Sequence, residues 1–353
     1  MSKFFSSKYA SLVPYTPGEQ PRDMQYIKLN TNESPFPPSE KAQCAAWEAA
    51  KNLQLYSDPT AKKLNDAMAN LYGVDPDEIL MTNGSDEVLN FAFMAFCDEQ
   101  TPAVFADITY GFYSVFCDIN RLPSTVVPLH NDFTLSVDDY IGKPGTVFIA
   151  NPNAPTGLCL PTSEIERLLQ ADPNRIVVID EAYIDFGGKS CIPLTEKYDN
   201  LLVTGTFSKS RSMAGARLGF GIANKELIRD LNTVKYSTNP YNVNAMTMAA
   251  GIGCLSDEEY TRENCQKIIA AREYTANELT KLGFTLTDSK TNFVFAKHPE
   301  ISGQELYQKL RQNGILVRHF SSPKIMEYNR ITIGTMEQMQ ILVETVKSIL
   351  SDR

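Results

Sequence analysis

Lys209 sits in the run TGTFSKSRSMAGARLGFG, residues 204–221, between Ser208 and Ser210, with Thr206 three positions before it and Arg217 eight positions after it. A solvated helix also carries Lys and Arg, but seldom in a stretch otherwise so small, hydroxylated and uncharged. A lysine amine condenses with aldehydes to Schiff bases. Hydroxyls beside a guanidinium suit a phosphate, which the guanidinium can grip through two parallel hydrogen bonds.

Four further stretches carry groups of the same kind. In RIVVIDEAY, Asp180 ends an apolar run and Tyr183 follows it. A carboxylate there can hold a cationic ring nitrogen protonated, because an opposite charge nearby favours the charged form. In TNGSDEVLNFAF, Asn83-Gly84 makes a turn, Ser85 and Asp86 are expected to cap a helix, and the helix start offers free N–H groups to an anion. ITYGFY sets Tyr110 and Tyr113 around Gly111, where a ring could stack on a planar ligand. NPNAPTG, residues 151–157, is a proline-stiffened loop after GTVFIA. Each has a plainer reading alone: a solvated strand end, an ordinary N-cap, a core tyrosine, a turn. One ligand needs all of them together, the phosphorylated pyridine aldehyde pyridoxal phosphate. Lys209 would take its aldehyde, Asp180 its ring nitrogen, and the helix start with Arg217 its phosphate.

The elements around these stretches must bring them to one place. From about Lys51 to Gly253, PAVFAD, GTVFIANP, RIVVIDEAY and NLLVTGTFS read as buried strands that alternate with helical patterns. One of those helices carries Ser163-Glu164-Ile165-Glu166, read as a capping box. This alternation predicts an α/β fold, a mostly parallel sheet between helices, with ligands beyond the carboxyl ends of its strands. After Gly253 the pattern changes. A long helix opens at Ser256-Asp257-Glu258-Glu259 and stops near Gly283. FTLTDS, NFVFAKH, ILVRHF and NRITIG read as short strands, with a helix capped by Ser302 and Glu305 and a last helix from Thr335. The expected division is a large unit over residues 46–253, with a smaller α+β unit formed by residues 254–353 and an N-terminal arm, residues 1–45.

At 353 residues, 43% hydrophobic and 21% charged, the chain is long enough for two cores. A net charge of -9 argues against nucleic acid or an anionic membrane surface as partner. The cysteines at 44, 97, 117, 159, 191, 254 and 265 form no CxxC pair, and three scattered histidines suggest no metal. MSKFFSSKYASLVPY lacks an apolar signal core, and the expectation is cytoplasmic. Gly219-Phe220-Gly221 lacks the third glycine of a dinucleotide fingerprint and reads as a strand.

The ordered set LNTNESPFPPS, TNGSDE, ITYGFY, NPNAPTG, VIDEAY, TFSKSRSMAGARLG, ILVRHF and NRITIGT resembles the fold-type I pyridoxal-phosphate aminotransferases, and within them the histidinol-phosphate branch. The resemblance implies a large domain with a mostly parallel sheet plus a smaller α+β domain. It implies Lys209 as Schiff-base lysine, Asp180 on the pyridine nitrogen, Tyr183 on the ring hydroxyl and Tyr110 over the ring. Ser85, Asp86, Thr206, Ser208 and Arg217 would hold the phosphate, with Tyr56 reaching the cofactor of a neighbouring subunit in a homodimer with shared sites. Tyr15, Asn32, Arg318 and Arg330 would line the substrate pocket. The implied reaction is amino transfer from glutamate to imidazole acetol phosphate, giving histidinol phosphate and 2-oxoglutarate. An aromatic amino-acid aminotransferase or a threonine-phosphate decarboxylase would use the same lysine, and a ligand-sensing regulator or a nucleotide-dependent oxidoreductase represents other classes. One departure stands out: Ala154 replaces an Asn that bonds the ring hydroxyl in many members, so Asn153 or Tyr183 must compensate or that oxygen has one donor fewer.

Overall fold

The computed structural model describes residues 2–10, 12–13, 18–21 and 23–352. Its strands in chain order are β1 (Ile27–Lys28), β2 (Ile79–Thr82), β3 (Ala103–Ala106), β4 (Ser124–Val127), β5 (Thr146–Ala150), β6 (Val177–Asp180) and β7 (Leu201–Thr206). Then follow β8 (Gly219–Ala223), β9 (Thr285–Leu286), β10 (Phe293–Lys297), β11 (Ile315–Leu316), β12 (Arg318–His319) and β13 (Asn329–Thr332). The helices are α1 (Glu40–Ala50), α2 (Lys62–Tyr72), α3 (Ser85–Phe96), α4 (Phe112–Asn120) and α5 (Thr162–Ala171). After them come α6 (Lys225–Thr238), α7 (Ala245–Leu255), α8 (Glu258–Lys281), α9 (Gly303–Gln312) and α10 (Met336–Ser351).

Seven strands form one sheet in the order β2-β8-β7-β6-β5-β3-β4, and β8 alone runs against the rest. Alternate residues of its strands bury opposite faces, as the two-residue side-chain period requires. Val147, Ile149, Val177, Ile179 and Val203 pack with Ile165, Leu168 and Leu169 of α5. Phe148, Val178 and Leu202 pack on the other side with Leu89 and Phe93 of α3, Phe116 of α4 and Leu231 of α6. Burial on both faces explains why these strands read as unbroken apolar runs.

A second sheet, β12-β13-β10-β9, is wholly antiparallel, and β1 pairs with β11 in a short parallel ladder. Its core joins Leu29 to Ile268, Leu306, Ile331, Leu342 and Val346. The run ILVRHF is thus two strands, one pairing with β1 and the other with β13. Caps fall as expected at Ser302 and at Thr335, which forms a capping box with Gln338. Two expectations need correction. The helix α5 begins at Thr162 with Pro161 at its cap position and no side-chain cap, so Ser163 lies inside the first turn and its capping box does not form. In α3, Gly84 occupies the cap position and Ser85 and Asp86 are already helical.

The two sheets are stitched together beside the proline loop. Thr287 Oγ1 donates to the Thr156 carbonyl at 2.5 Å, and the Lys290 N–H donates to the Gly157 carbonyl at 2.8 Å. The buried Arg272 Nη1 donates to the carbonyls of Phe186 and Thr291, both at 2.7 Å. Loops from the large sheet are in this way held by the segment that leads into β10.

Candidate active site

Asp180 is the last residue of β6, and β7 beside it runs in register, placing Thr204 opposite. Its carboxylate accepts from the Ala182 N–H at 3.2 Å, the Tyr113 hydroxyl at 3.4 Å and Thr204 Oγ1 at 3.5 Å. Burial pushes its pKa up to about 6 against the pull of the Ala182 N–H, and the Asp86 charge pushes the same way. The next residue, Glu181, is raised to about 7 by burial although it accepts from the Cys191 N–H and Ser190 Oγ. Two adjacent carboxylates thus stand under the carboxyl end of the sheet, one of them at the floor of a cleft.

That cleft, open to solvent, is lined by Ser85, Asp86, Tyr110, Ala154, Asp180, Tyr183, Thr206, Ser208, Lys209 and Arg217 among others. Lys209 follows β7 in a turn, and its Nζ lies 5.8 Å from the centre of the Tyr183 ring. At the opposite end, Gly84 provides no side chain to cap α3 and leaves first-turn N–H groups available to an anion. A Cβ on Gly84 would come within 2.5 Å of Arg217 Nη2, and one on Gly219 within 2.3 Å of the Ser85 nitrogen. Glycine at both positions is what allows the helix start and the guanidinium to share one corner. Asp86 orients that corner, accepting from the Tyr110 hydroxyl at 2.5 Å and from Arg217 Nη2 at 2.9 Å.

A family model, aminotransferase class I and II, matches residues 24–346. The chain belongs to the class I and II aminotransferase family. It is 48% identical to a histidinol-phosphate aminotransferase of Brachyspira hyodysenteriae, over all of both chains. Among solved structures it is similar to a histidinol-phosphate aminotransferase from Clostridium acetobutylicum, with a TM-score of 0.86 and 25% identity over 93% of this chain and 100% of the other. A Sinorhizobium meliloti histidinol-phosphate aminotransferase in complex with pyridoxal-5'-phosphate shares the fold, with a TM-score of 0.84 and 23% identity over 92% of each chain.

Enzymes of this family are pyridoxal-phosphate-dependent transferases, and the cleft fits that cofactor. The Ser208 hydroxyl is buried on its wall with no hydrogen-bond partner. That hydroxyl lies with Thr206, Arg217 and the open end of α3, which together make a donor set for a phosphate dianion. At the far side a buried carboxylate and a lysine amine suit a ring nitrogen and an aldehyde. Among the described residues no group of His, Cys, Asp and Glu could hold a metal ion.

The sequence-predicted residues do not all meet there. Asn153 lies outside the cleft lining: its Nδ2 donates to the Ile108 carbonyl at 2.9 Å and to Thr156 Oγ1 at 3.0 Å, and its Oδ1 accepts from Thr109 Oγ1. Its amide ties the proline loop to Ile108 and Thr109, and Pro152 and Ala154 are the loop residues that line the cleft. Tyr56 points to solvent, 84% exposed, with its ring stacked on Tyr241 at 4.6 Å. Asn32 is buried, and its Nδ2 donates to the Tyr183 hydroxyl at 2.9 Å. Arg318 and Arg330 face each other across β12 and β13. Tyr15 lies outside the described residues. The supporting contacts to Asp180 are not legible in the sequence: that of Thr204 depends on the β6–β7 register, and that of Tyr113 on how α4 packs against the sheet.

Proposed function

We propose that this chain is a histidinol-phosphate:2-oxoglutarate aminotransferase, passing the amino group of glutamate to imidazole acetol phosphate. The observation carrying the substrate choice is the pairing of two arginines. Arg330 and Thr332 are two residues apart on β13 and share a face, and Arg318 is the cross-strand partner of Arg330 on that face. Thr332 on the same face holds Asn32, which holds Tyr183 of the cleft. Two guanidinium groups so placed match a phosphate dianion better than an uncharged aromatic side chain. The full-length relatives named for this activity support the same reading.

In this reading Lys209 binds the cofactor's aldehyde carbon, Asp180 its ring nitrogen and Tyr183 its ring oxygen. Ser85, Asp86 through its backbone, Thr206, Ser208 and Arg217 hold its phosphate, and Tyr110 covers the ring. The bound cofactor supplies an electron sink for the charge that develops at the substrate α-carbon. The Lys209 amine would take the proton from that carbon as general base and deliver it, as general acid, to the carbon that had been the cofactor's aldehyde carbon. Asp180 keeps a proton on the ring nitrogen, its charge undiluted by water in its buried position. Asp86 steadies Tyr110 and Arg217 throughout.

The exposed side chains of Trp47, Leu53, Leu55, Tyr56 and Tyr241, with Tyr56 stacked on Tyr241, support a homodimer in which Tyr56 reaches the partner's phosphate site. No described helix is long and apolar enough to cross a membrane, and the reading places the enzyme in the cytoplasm with small-molecule substrates. Residues 46–253 are proposed as the cofactor-binding unit and residues 1–45 with 254–353 as the second. The packing of Ala42 in the larger core supports moving that seam to the start of α1.

A substrate panel on the purified holoprotein tests the proposal. Histidinol phosphate should be deaminated with 2-oxoglutarate as acceptor at a kcat/KM at least tenfold above phenylalanine, and threonine phosphate should not be decarboxylated. Preference for phenylalanine would sink the substrate assignment, and steady-state turnover by Lys209→Ala would sink the mechanism.

A further inference from the structure

We propose that Asn32 is a positioning residue that turns the Tyr183 hydroxyl into a hydrogen-bond donor toward the cofactor's ring oxygen, where Ala154 offers no donor. The inference rests on the assignment of Tyr183 to that oxygen.

Hydrogen-bond bookkeeping around Asn32 leaves one consistent arrangement. Its backbone N–H donates to Thr332 Oγ1 at 2.9 Å, so the threonine hydrogen goes elsewhere, and it goes to Asn32 Oδ1 at 3.0 Å. With Oδ1 turned to Thr332, the side-chain NH2 faces the Tyr183 oxygen at 2.9 Å. That oxygen accepts, and its own hydrogen must point away from Asn32, on the side where Tyr183 lines the cleft. Nothing in this arrangement is loose. Asn32 is 1% exposed, its carbonyl accepts from Asn292 Nδ2 at 3.0 Å, and its backbone has φ 55°, a left-handed conformation that Asn tolerates better than most residues. The Tyr183 ring packs edge-on against Phe293 at 5.3 Å, so ring and hydroxyl are both set by groups leading into or lying on the smaller sheet. Asn153, the other source of an amide, is committed to the Ile108 carbonyl and to Thr156. Asn32 therefore acts through Tyr183, and it is not primarily a substrate ligand.

A donor to the ring oxygen stabilises its anionic form and lowers the pH at which the bound cofactor's visible band changes. The test is that midpoint, read on holoprotein variants. The charged groups Asp86, Asp180, Lys209 and Arg217 that share the cleft are kept in every variant. Asn32→Gly, which accepts the left-handed backbone without strain, should raise the midpoint by up to about one pH unit. Tyr183→Phe should raise it at least as far, and the double variant should shift no further than Tyr183→Phe alone. Ala154→Asn should lower it, and should bring the Asn32→Gly midpoint back toward the parent. If Asn32→Gly melts without cooperativity, Asn32→Asp keeps the volume but accepts from Tyr183, drawing its hydrogen out of the cleft, and should also raise the midpoint. A midpoint unmoved by the Asn32 variants while Tyr183→Phe shifts it overturns the inference alone. Additive shifts in the double variant do the same. No shift in Tyr183→Phe overturns the underlying assignment of Tyr183.

Discussion

Asp180 is an acid kept in a place that disfavours its charge. Its pKa in the folded chain is about 6 against an ordinary 3.8, with burial as the largest cause. Because the folded value lies above the unfolded one, the folded state holds the proton more tightly. Stability from this group is therefore greatest below pH 3.8, falls as pH rises through the window to about 6, and stays low above it. The gap between the two values corresponds to about 3 kcal/mol. Asp180→Asn has no charge to bury, so the cofactor-free variant should exceed the cofactor-free parent by about 3 kcal/mol at pH 8. With an unfolding entropy of roughly 2.1 cal/mol/K per residue over 353 residues, that amounts to a Tm about 4 °C higher. At pH 4 both proteins carry a neutral group there, and the difference should close. Glu181, raised beside it, is present in both and cancels. Loaded with cofactor, the variant should lose activity about 100-fold or more, as when a fixed charge facing developing charge is removed. Thermal melts of the cofactor-free proteins at the two pH values check this. A Tm difference of the same size at pH 4 and pH 8, or none at pH 8, refutes the argument that the charge is held at a cost.

Gly219→Ala would drive a methyl group into the Ser85 nitrogen and Gly84 carbon, at 2.3 and 2.4 Å. The start of α3 must shift, and equilibrium dialysis should find cofactor affinity down at least tenfold, with a stability loss of about 1–3 kcal/mol. Arg330→Met should raise KM for the phosphorylated substrate by about 10- to 100-fold, the worth of one charged hydrogen-bond pair, while KM for glutamate changes less. Tyr56→Ala should leave the melting profile nearly unchanged and weaken cofactor retention. Mixing it with the inactive Lys209→Ala, at a cofactor concentration that leaves Tyr56→Ala mostly unloaded, should raise activity after subunit exchange, since a hybrid dimer then holds one intact site.

Much of the cleft could be anticipated from local patterns. Asp180, Lys209 and the helix start at Ser85 each follow a strand whose apolar run marks it as buried, and the carboxyl ends of parallel strands are where ligands gather. The capping residue of α3 is not legible in the sequence, because Asn-Gly-Ser-Asp offers several polar cap candidates and only the left-handed φ of 78° at Gly84 decides among them. The role of Asn153 was open for a related reason. Two amide-sized positions stand side by side in NPNAPTG, and which one turns toward the cleft depends on a backbone course that residue types do not specify. Contacts such as Asn32 to Tyr183, separated by 151 positions, lie beyond any local pattern, since they arise only once two sheets are docked.

That docking also explains why a buried acid and an orphaned hydroxyl can persist in one cleft. Asp180 ends β6 and Ser208 follows β7 of the large sheet, whose apolar faces are covered by helices on both sides, and that packing offsets the cost of burying them. The groups that aim Tyr183 come instead from the other sheet or the approach to it: Asn32 after β1, Thr332 on β13 and Phe293 on β10. In the proposed assignment, cofactor binding and ring tuning fall on different elements. A movement of the smaller sheet relative to the larger would leave Asp180 and the phosphate donors in place while changing the donor at the ring oxygen. In the proposed reading, substrate gripped by Arg318 and Arg330 would pull on the same strands, β12 and β13, that carry Thr332 and through it Asn32, and its binding would then be linked to the orientation of Tyr183.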